Sequence, residues 1–293
     1  MIQRFGVPET GLLAHRTVPS LLAPAELLSG CRRDVDALLA WGRRPSARRV
    51  ERLGRHWQLP IWHLEDGLLR SLAKGSKHPP LALLVDDLGV HFDATQPSRL
   101  EQRIPQPLQP EQQQRARRLQ QLWCELRLSK LNPARESPAP NAPFVLVVDQ
   151  SAGDCSIALG QAGPQHFQQM LQAALRDNPD CTVVVKVHPD VIRGRARGHF
   201  RRRDLQHPRI QLCADGLHPA GLLEQAQAVY VVTSQMGFEA LLWGRPVQCF
   251  GMPFYAGWGL TRDLLPAPSR RQQGIALEGL VHAALVAGTR CID

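Results

Sequence analysis

Phe144-Val145-Leu146-Val147-Val148-Asp149-Gln150-Ser151-Ala152-Gly153-Asp154 is an unbroken apolar run that ends in a carboxylate and a polar, glycine-containing loop. Five consecutive apolar residues without alternation predict a strand buried on both faces, as in a parallel sheet. The pattern continues downstream with a helix over 165–176, strands over 182–187 and 229–232, a helix over 236–243, a strand over 247–250 and a last helix over 277–287. Buried strands alternating with helices predict an α/β layer. Ligands in such layers sit beyond the carboxyl ends of the strands, so function is expected in the loops after Val148, Val187 and Val232.

Upstream, short apolar runs at 36–41, 60–64 and 81–85 predict strands, with a basic helix over 46–56 behind Pro45. Ala116, Leu119, Trp123 and Leu126 recur at helical spacing within a predicted amphipathic helix over 110–131. Residues 133–143 hold four prolines in eleven positions, the composition of an extended linker. The expectation is two Rossmann-like α/β lobes with parallel sheets, 1–135 with its connecting helix and 144–293.

With 293 residues, 43% of them hydrophobic and 21% charged, the chain has enough apolar surface for a core, which excludes a mainly disordered protein. No apolar run is long enough for a membrane span, and MIQRFGVPETG lacks the blocks of a signal peptide, so a cytoplasmic location is expected. The seven cysteines are scattered without a C-x-x-C pair, which argues against zinc or redox chemistry. The net charge of +9 fits an anionic partner without choosing one.

Each polar loop has a functional and a structural reading. Gly153 lets the backbone turn so that Asp154 faces the open end of the sheet, yet an aspartate there also caps turns. Lys186 and His188 fall on one face of their strand, a cationic pair suited to a phosphate or carboxylate, and Pro189 ends the ladder; a histidine at a strand end is also commonly structural. The stretch Thr233-Ser234-Gln235-Met236-Gly237-Phe238-Glu239 runs from a strand into a helix, so hydroxyls and free N–H groups converge on a point that can hold an anion or merely cap the helix. Tyr255 and Trp258, in the loop 253–261, suit either a stacking wall for a sugar or base or a hydrophobic plug. Glu65 and Asp66 are adjacent acids near the end of a first-lobe strand, suited to acid/base work, although adjacent acids there are also common without it. Arg193, Arg195, Arg197, Arg201, Arg202 and Arg203 form either a solvated loop or an anionic docking surface. There is no Walker A loop, G-x-G-x-x-G, H-E-x-x-H or G-x-S-x-G motif, and the D-x-D at 34–36 opens a strand instead of leaving one. Metal-free anion sites are therefore expected.

The segments DQSAGD (149–154), KVHPD (186–190), TSQMGFEALLWGRPVQCFGMPFYAGWGLTRD (233–263), HLEDGLLRS (63–71) and LLVDDLGVHFDATQPSRLE (83–101) together resemble the capsule β-Kdo transferases of the KpsC/LipA type, which act on 3-deoxy-manno-octulosonic acid (Kdo). The resemblance implies a GT-B-like, retaining, metal-independent glycosyltransferase that moves Kdo from CMP-β-Kdo to a Kdo-glycolipid acceptor in capsular linker synthesis. It implies no cofactor, and it implies contacts with other capsule assembly proteins and peripheral association with the inner face of the cytoplasmic membrane. Family members carry two such modules in tandem, and this chain corresponds to one. The family has Thr where Ser151 stands and Lys-Tyr-Asn where this chain has Lys130-Leu131-Asn132. Carried over by motif, His188, Pro189 and Ser234 bind the CMP phosphate, with Lys186, Thr233, Gln235, Gly237, Glu239, Tyr255 and Trp258 completing the substrate site. Asp154 is the expected nucleophile and Glu65 the expected acid/base, with Asp149, Asp66 and Glu239 as the other candidate carboxylates. The main competitor from another class is a nucleic-acid-binding module, motivated by the charge, and a nucleotide-sugar-binding module without catalysis is the second. A nucleic-acid-binding protein is disfavoured because the aromatics do not interleave with the arginines.

Overall fold

The run 144–148 forms the strand around which the second half of the molecule is built. The computed structural model describes residues 3–13, 16–73, 78–133, 135–214 and 216–292. Its strands are β1 (Arg4–Val7), β2 (Glu26–Ser29), β3 (Ala37–Trp41), β4 (Ile61–Asp66), β5 (Ala82–Asp86), β6 (Phe144–Val148), β7 (Thr182–Lys186), β8 (Ile210–Cys213), β9 (Val229–Val231), β10 (Val247–Cys249), β11 (Arg262–Asp263) and β12 (Thr289–Cys291). The α-helices are α1 (Val18–Leu22), α2 (Pro45–Trp57), α3 (Arg99–Arg103), α4 (Pro110–Glu125), α5 (Cys155–Leu159), α6 (Pro164–Asp177), α7 (Pro189–Ile192), α8 (Ala220–Gln225), α9 (Met236–Leu242) and α10 (Leu277–His282).

The second sheet has the order β11-β10-β9-β6-β7-β8 and every pairing in it is parallel. All five residues of β6 are buried. Phe144, Leu146 and Val148 enter one apolar cluster, while Val145 and Val147 enter another on the opposite face. That two-sided burial is why the sequence shows no alternation. The chain starts in the middle at β6, runs outward to β8 and then returns to β9 on the other side. The switch of direction lies between β6 and β9, where ligands bind in sheets of this kind.

The first sheet has the order β12-β5-β4-β3-β1-β2. It differs from the expected parallel sheet at one edge, where β5 runs antiparallel to β4 and β12 antiparallel to β5. A parallel return needs a crossover element, and no helix occurs among the described residues between β4 and β5. Strand β12 comes from the far end of the chain, so part of the segment 144–293 belongs to the first sheet.

The helix expected over 110–131 stops at Glu125. Arg127 turns left-handed (φ 52°), and its guanidinium pairs with Glu136 and Glu224 while lying over the Trp243 ring. The last helix, expected over 277–287, is α-helical to His282 and continues as a π-turn over Ala283–Ala287. One apolar cluster joins the two halves, taking Leu68, Leu84 and Leu100 from the first and Phe238, Tyr255 and Trp258 from the second.

Candidate active site

Gln150 ties together the two loops that flank the switch point. Its amide nitrogen donates to Thr233 Oγ1 (3.0 Å), and its amide oxygen accepts from the Thr233 N–H (2.9 Å). Ser156 Oγ lies 3.1 Å from the same Thr233 hydroxyl. Thr233 thus spends its polar atoms on cross-linking. The neighbouring Ser234 hydroxyl accepts from the Met236 N–H (3.3 Å), and the Tyr255 hydroxyl donates to the Ser234 carbonyl. Gly237 permits that approach, because a Cβ there would lie 2.2 Å from the Tyr255 oxygen.

Tyr255 and Trp258 are fully buried, with the indole N–H donating to the Phe254 carbonyl (2.9 Å). The stacking wall is therefore corrected to the plug: both rings are core, and they brace the Ser234 loop from behind. Gln235 donates to the Leu68 carbonyl (2.7 Å), linking the helix start to the other half of the molecule.

His188 Nδ1 accepts from the Asp190 N–H (3.1 Å) and is 3.1 Å from Ser151 Oγ. A backbone N–H can only donate, so Nδ1 is the acceptor and a neutral ring carries its proton on Nε2. Lys186 does not join it in a cationic pair. Its ammonium is buried and donates to Ser137 Oγ in the linker (2.8 Å). The side chain of Pro189 lies outside the described residues.

The carboxylates separate into distinct roles. Asp149 is buried and accepts from the N–H groups of Gln150 (2.9 Å) and His199 (3.1 Å), while a Cβ on Gly198 would lie 2.3 Å from its other oxygen. Burial pushes its pKa up to about 6. It anchors the loop that follows α7, and the Ala152 N–H donates to the Arg197 carbonyl (2.6 Å) in the same clamp. The arginines of that loop are exposed.

Asp66 is paired with Arg70 (2.8 Å). Glu239 is buried and accepts from Ser129 Oγ (2.6 Å), the Lys130 N–H (3.2 Å) and Gln235 (3.2 Å), which makes it a tie between α9 and the segment after α4. Burial pushes its pKa up to about 7. The folded protein then keeps a proton that the unfolded chain releases above the ordinary value of 4.5, so this group lowers stability as pH rises from about 4.5 to 7. Thermal melts of wild type and Glu239→Gln compared across that window are expected to show a shallower decline in the variant; parallel curves would reject this.

Asp154 is exposed at the start of α5, with one carboxylate oxygen accepting from the Ser156 N–H (2.9 Å). Glu65 is half-buried near the carboxyl end of β4. Burial pushes its pKa up to about 7, against the pull of Lys130 and Arg44. The exposed residue Cys155 reports on both acids: burial first, then the charges of Asp154 and Glu65, push its thiol pKa up. Asp154, which caps α5, and Glu65, on β4, thus both lie within electrostatic reach of Cys155. Among the described residues no group of three or more His, Cys, Asp or Glu side chains is arranged to hold a metal ion.

Gln150 and His63 lie within the segments DQSAGD and HLEDGLLRS, and Lys130 opens the Lys130-Leu131-Asn132 stretch, yet the sequence singles out neither them nor Gly42 as site residues, and only their contacts show what they do. The signals available are those segments and, for Gln150, its adjacency to Asp149 at a strand's end.

Residues 36–124 and 102–289 match the family described as capsule polysaccharide biosynthesis protein. The chain belongs to this family. Within it, the chain is similar to the capsule polysaccharide modification protein LipA of Neisseria meningitidis serogroup B, 38% identical over 91% of this chain and 39% of LipA. It is also similar to the lipopolysaccharide-processing protein LpsZ of Rhizobium meliloti, 35% identical over 88% of this chain and 60% of LpsZ. The chain thus spans about two fifths of the LipA length. Among solved structures, the β-Kdo 2,4 transferase of Thermosulfurimonas dismutans KpsC is 37% identical and superposes with a TM-score of 0.91 over 100% of this chain and 93% of that one. The β-Kdo 2,7 transferase of the same KpsC is 26% identical, with a TM-score of 0.76 over 99% and 93%. This member of the capsule polysaccharide biosynthesis family therefore has the two-lobed, GT-B-like architecture. No helix among its described residues is long and apolar enough to cross a membrane.

Proposed function

We propose that the chain is a β-Kdo transferase module that moves Kdo from CMP-β-Kdo to a Kdo-bearing glycolipid with retention of configuration. What supports the reading is the pair of carboxyls, Asp154 exposed at the start of α5 and Glu65 near the carboxyl end of β4 with its pKa pushed up to about 7 by burial, both within electrostatic reach of Cys155. Of the two linkage types in the similar structures, the 2,4 type has the better superposition, with a TM-score of 0.91 against 0.76, and it is the linkage proposed here.

In the first step a carboxylate oxygen of Asp154 attacks the anomeric carbon of Kdo, forming a glycosyl ester as the bond to the CMP phosphate breaks. The Ser156 N–H holds the attacking carboxylate in orientation. The proton on His188 Nε2 and the hydroxyl of Ser234 are donors for the departing phosphate, whose charge they stabilise. In the second step Glu65 takes the proton of the acceptor hydroxyl, whose oxygen attacks the same carbon and releases Asp154. A phosphate leaving group needs little help from an acid, so the base role of Glu65 dominates. Activity is expected to rise with pH through about 7 as Glu65 loses its proton.

The test is incubation with purified CMP-β-Kdo and a Kdo-terminated glycolipid, with EDTA present and the metal-dependent donor synthesis carried out separately. A β-2,4-linked product is expected. CMP binding without turnover would mark the chain as a binding module instead, and loss of transfer restored by one metal would overturn metal independence. Replacing His188 by Ala is expected to weaken CMP binding by about 1.5 to 3 kcal/mol, the scale of a hydrogen bond to a charged group. Unchanged affinity by calorimetry would leave His188 with the structural contacts alone.

A further inference from the structure

Glu65 has an unusual neighbour in the turn after β3. Gly42 is left-handed (φ +52°), and a Cβ on it would lie 1.9 Å from Glu65 Oε1. The Gly42 backbone is therefore pressed against the Glu65 carboxyl. Two bonds from β4 hold it there, one on each of the residues preceding Glu65. The Gly42 N–H donates to the Leu64 carbonyl (2.9 Å), and His63 Nδ1 lies 3.0 Å from the Gly42 carbonyl. A carbonyl only accepts, so Nδ1 carries the hydrogen. His63 is buried, and burial first, then the Arg43 charge, lower its pKa, which keeps the ring neutral near pH 7.

His63 and Glu65 are two residues apart on a strand, hence on one face. They line a cavity of about 10 Å³ together with Asp86 and His91, roughly the room of one water. Asp86, paired with His63 across the strands, accepts from the N–H groups of Leu88, Gly89 and Arg99, so the wall carrying His91 is itself fixed. The other charged groups that reach Glu65 are Lys130 from the segment after α4, Asp66 on β4 and Arg44 at the start of α2, and the Glu65 charge in turn reaches the Cys155 thiol.

We propose that His63 is the positioning residue for Glu65: by donating to the Gly42 carbonyl it holds the left-handed turn against the Glu65 carboxyl and keeps that carboxyl out of bulk water. The proposal rests on the reading of Glu65 as the acid/base. His63 touches no reacting atom and acts only through Gly42.

The deciding comparison is His63→Ala, which removes the donor, with His63→Asn, whose side-chain amide can replace Nδ1–H. Titration of the Glu65 carboxyl, followed by 13C NMR on glutamate-labelled protein and assigned with Glu65→Gln, reads the positioning without turnover. The midpoint is expected near 7 in wild type. It is expected to fall by about one pH unit or more in the Ala variant as water reaches the carboxyl, and to return toward wild type in the Asn variant. In transfer assays kcat is expected to fall about tenfold in the Ala variant with the acidic limb of its pH profile displaced, while KM for CMP-Kdo changes little. Gly42→Ala is expected to disturb the same titration by direct collision. Ala and wild-type proteins that titrate alike, or Asn and Ala proteins that behave alike, would overturn the proposal. A midpoint that responds as stated in a protein making no Kdo product would sink the reaction and leave the positioning intact.

Discussion

Asp154→Asn is expected to abolish Kdo transfer, by about a thousandfold or more, while leaving CMP affinity nearly unchanged. In the proposed reaction the carboxylate meets the sugar's anomeric carbon, while the nucleotide is held elsewhere, by the His188 and Ser234 loops. An amide is isosteric and can still accept from the Ser156 N–H, so α5 keeps its cap. A loss of activity then reports on nucleophilicity and not on folding. If Asp154 is the nucleophile, it carries Kdo as an ester during turnover. With donor but no acceptor, or with Glu65→Gln slowing the second step, intact-protein mass spectrometry is expected to show one added Kdo, mapped to the peptide containing Asp154. Substantial turnover by a verified Asp154→Asn protein, or an adduct on another carboxylate, would reject the assignment. Asp149 is the instructive comparison. It occupies the same loop, but its oxygens face backbone N–H groups and Gly198, so its substitution is expected to loosen the loop after α7 without trapping any sugar.

The second large effect is on stability. Arg271 is fully buried and pairs with the buried Glu101 of α3. It also donates to the Pro253 carbonyl (2.7 Å). One guanidinium thereby staples the start of the loop 253–258 to the first half of the chain. Arg271→Met keeps the apolar stem but leaves a buried carboxylate short of one partner, a loss on the order of 3 kcal/mol. Arg270, which donates to the other Glu101 oxygen (2.6 Å), limits the damage. The urea midpoint is expected to fall accordingly, and Glu101→Gln in the Arg271→Met background is expected to recover part of it. An unchanged midpoint would show that the staple contributes little to the folded state.

The two halves of the molecule were legible in the sequence because burial on both faces of a parallel strand leaves an unmistakable local trace. The residues 144–148 and 182–186 admit no other element, and the four prolines of 133–143 mark the passage between sheets. The positions where a strand end meets a polar loop followed directly, and with them Asp154, His188 and Ser234 as candidates. The spelling of HLEDG, DQSAGD and the long stretch through GWGLT was enough to carry the family.

Other features depended on partners distant in the chain. Tyr255 and Trp258 have the same local spelling whether they face a ligand or a core, and only packing against residues such as Phe238 and Phe254 decides for the plug. Lys186 alternates correctly with His188, yet its ammonium is captured by Ser137, 49 positions away. Asp149 and Asp154 are both plausible carboxylates five residues apart; the N–H of His199 and the close approach of Gly198 separate the anchored one from the exposed one. Strand β12 pairs with β5 across some two hundred residues. Local sequence determines which backbone conformations and which exposed or buried faces a segment prefers. It leaves open which donor reaches which carboxylate, because that depends on distances set only when the two sheets pack.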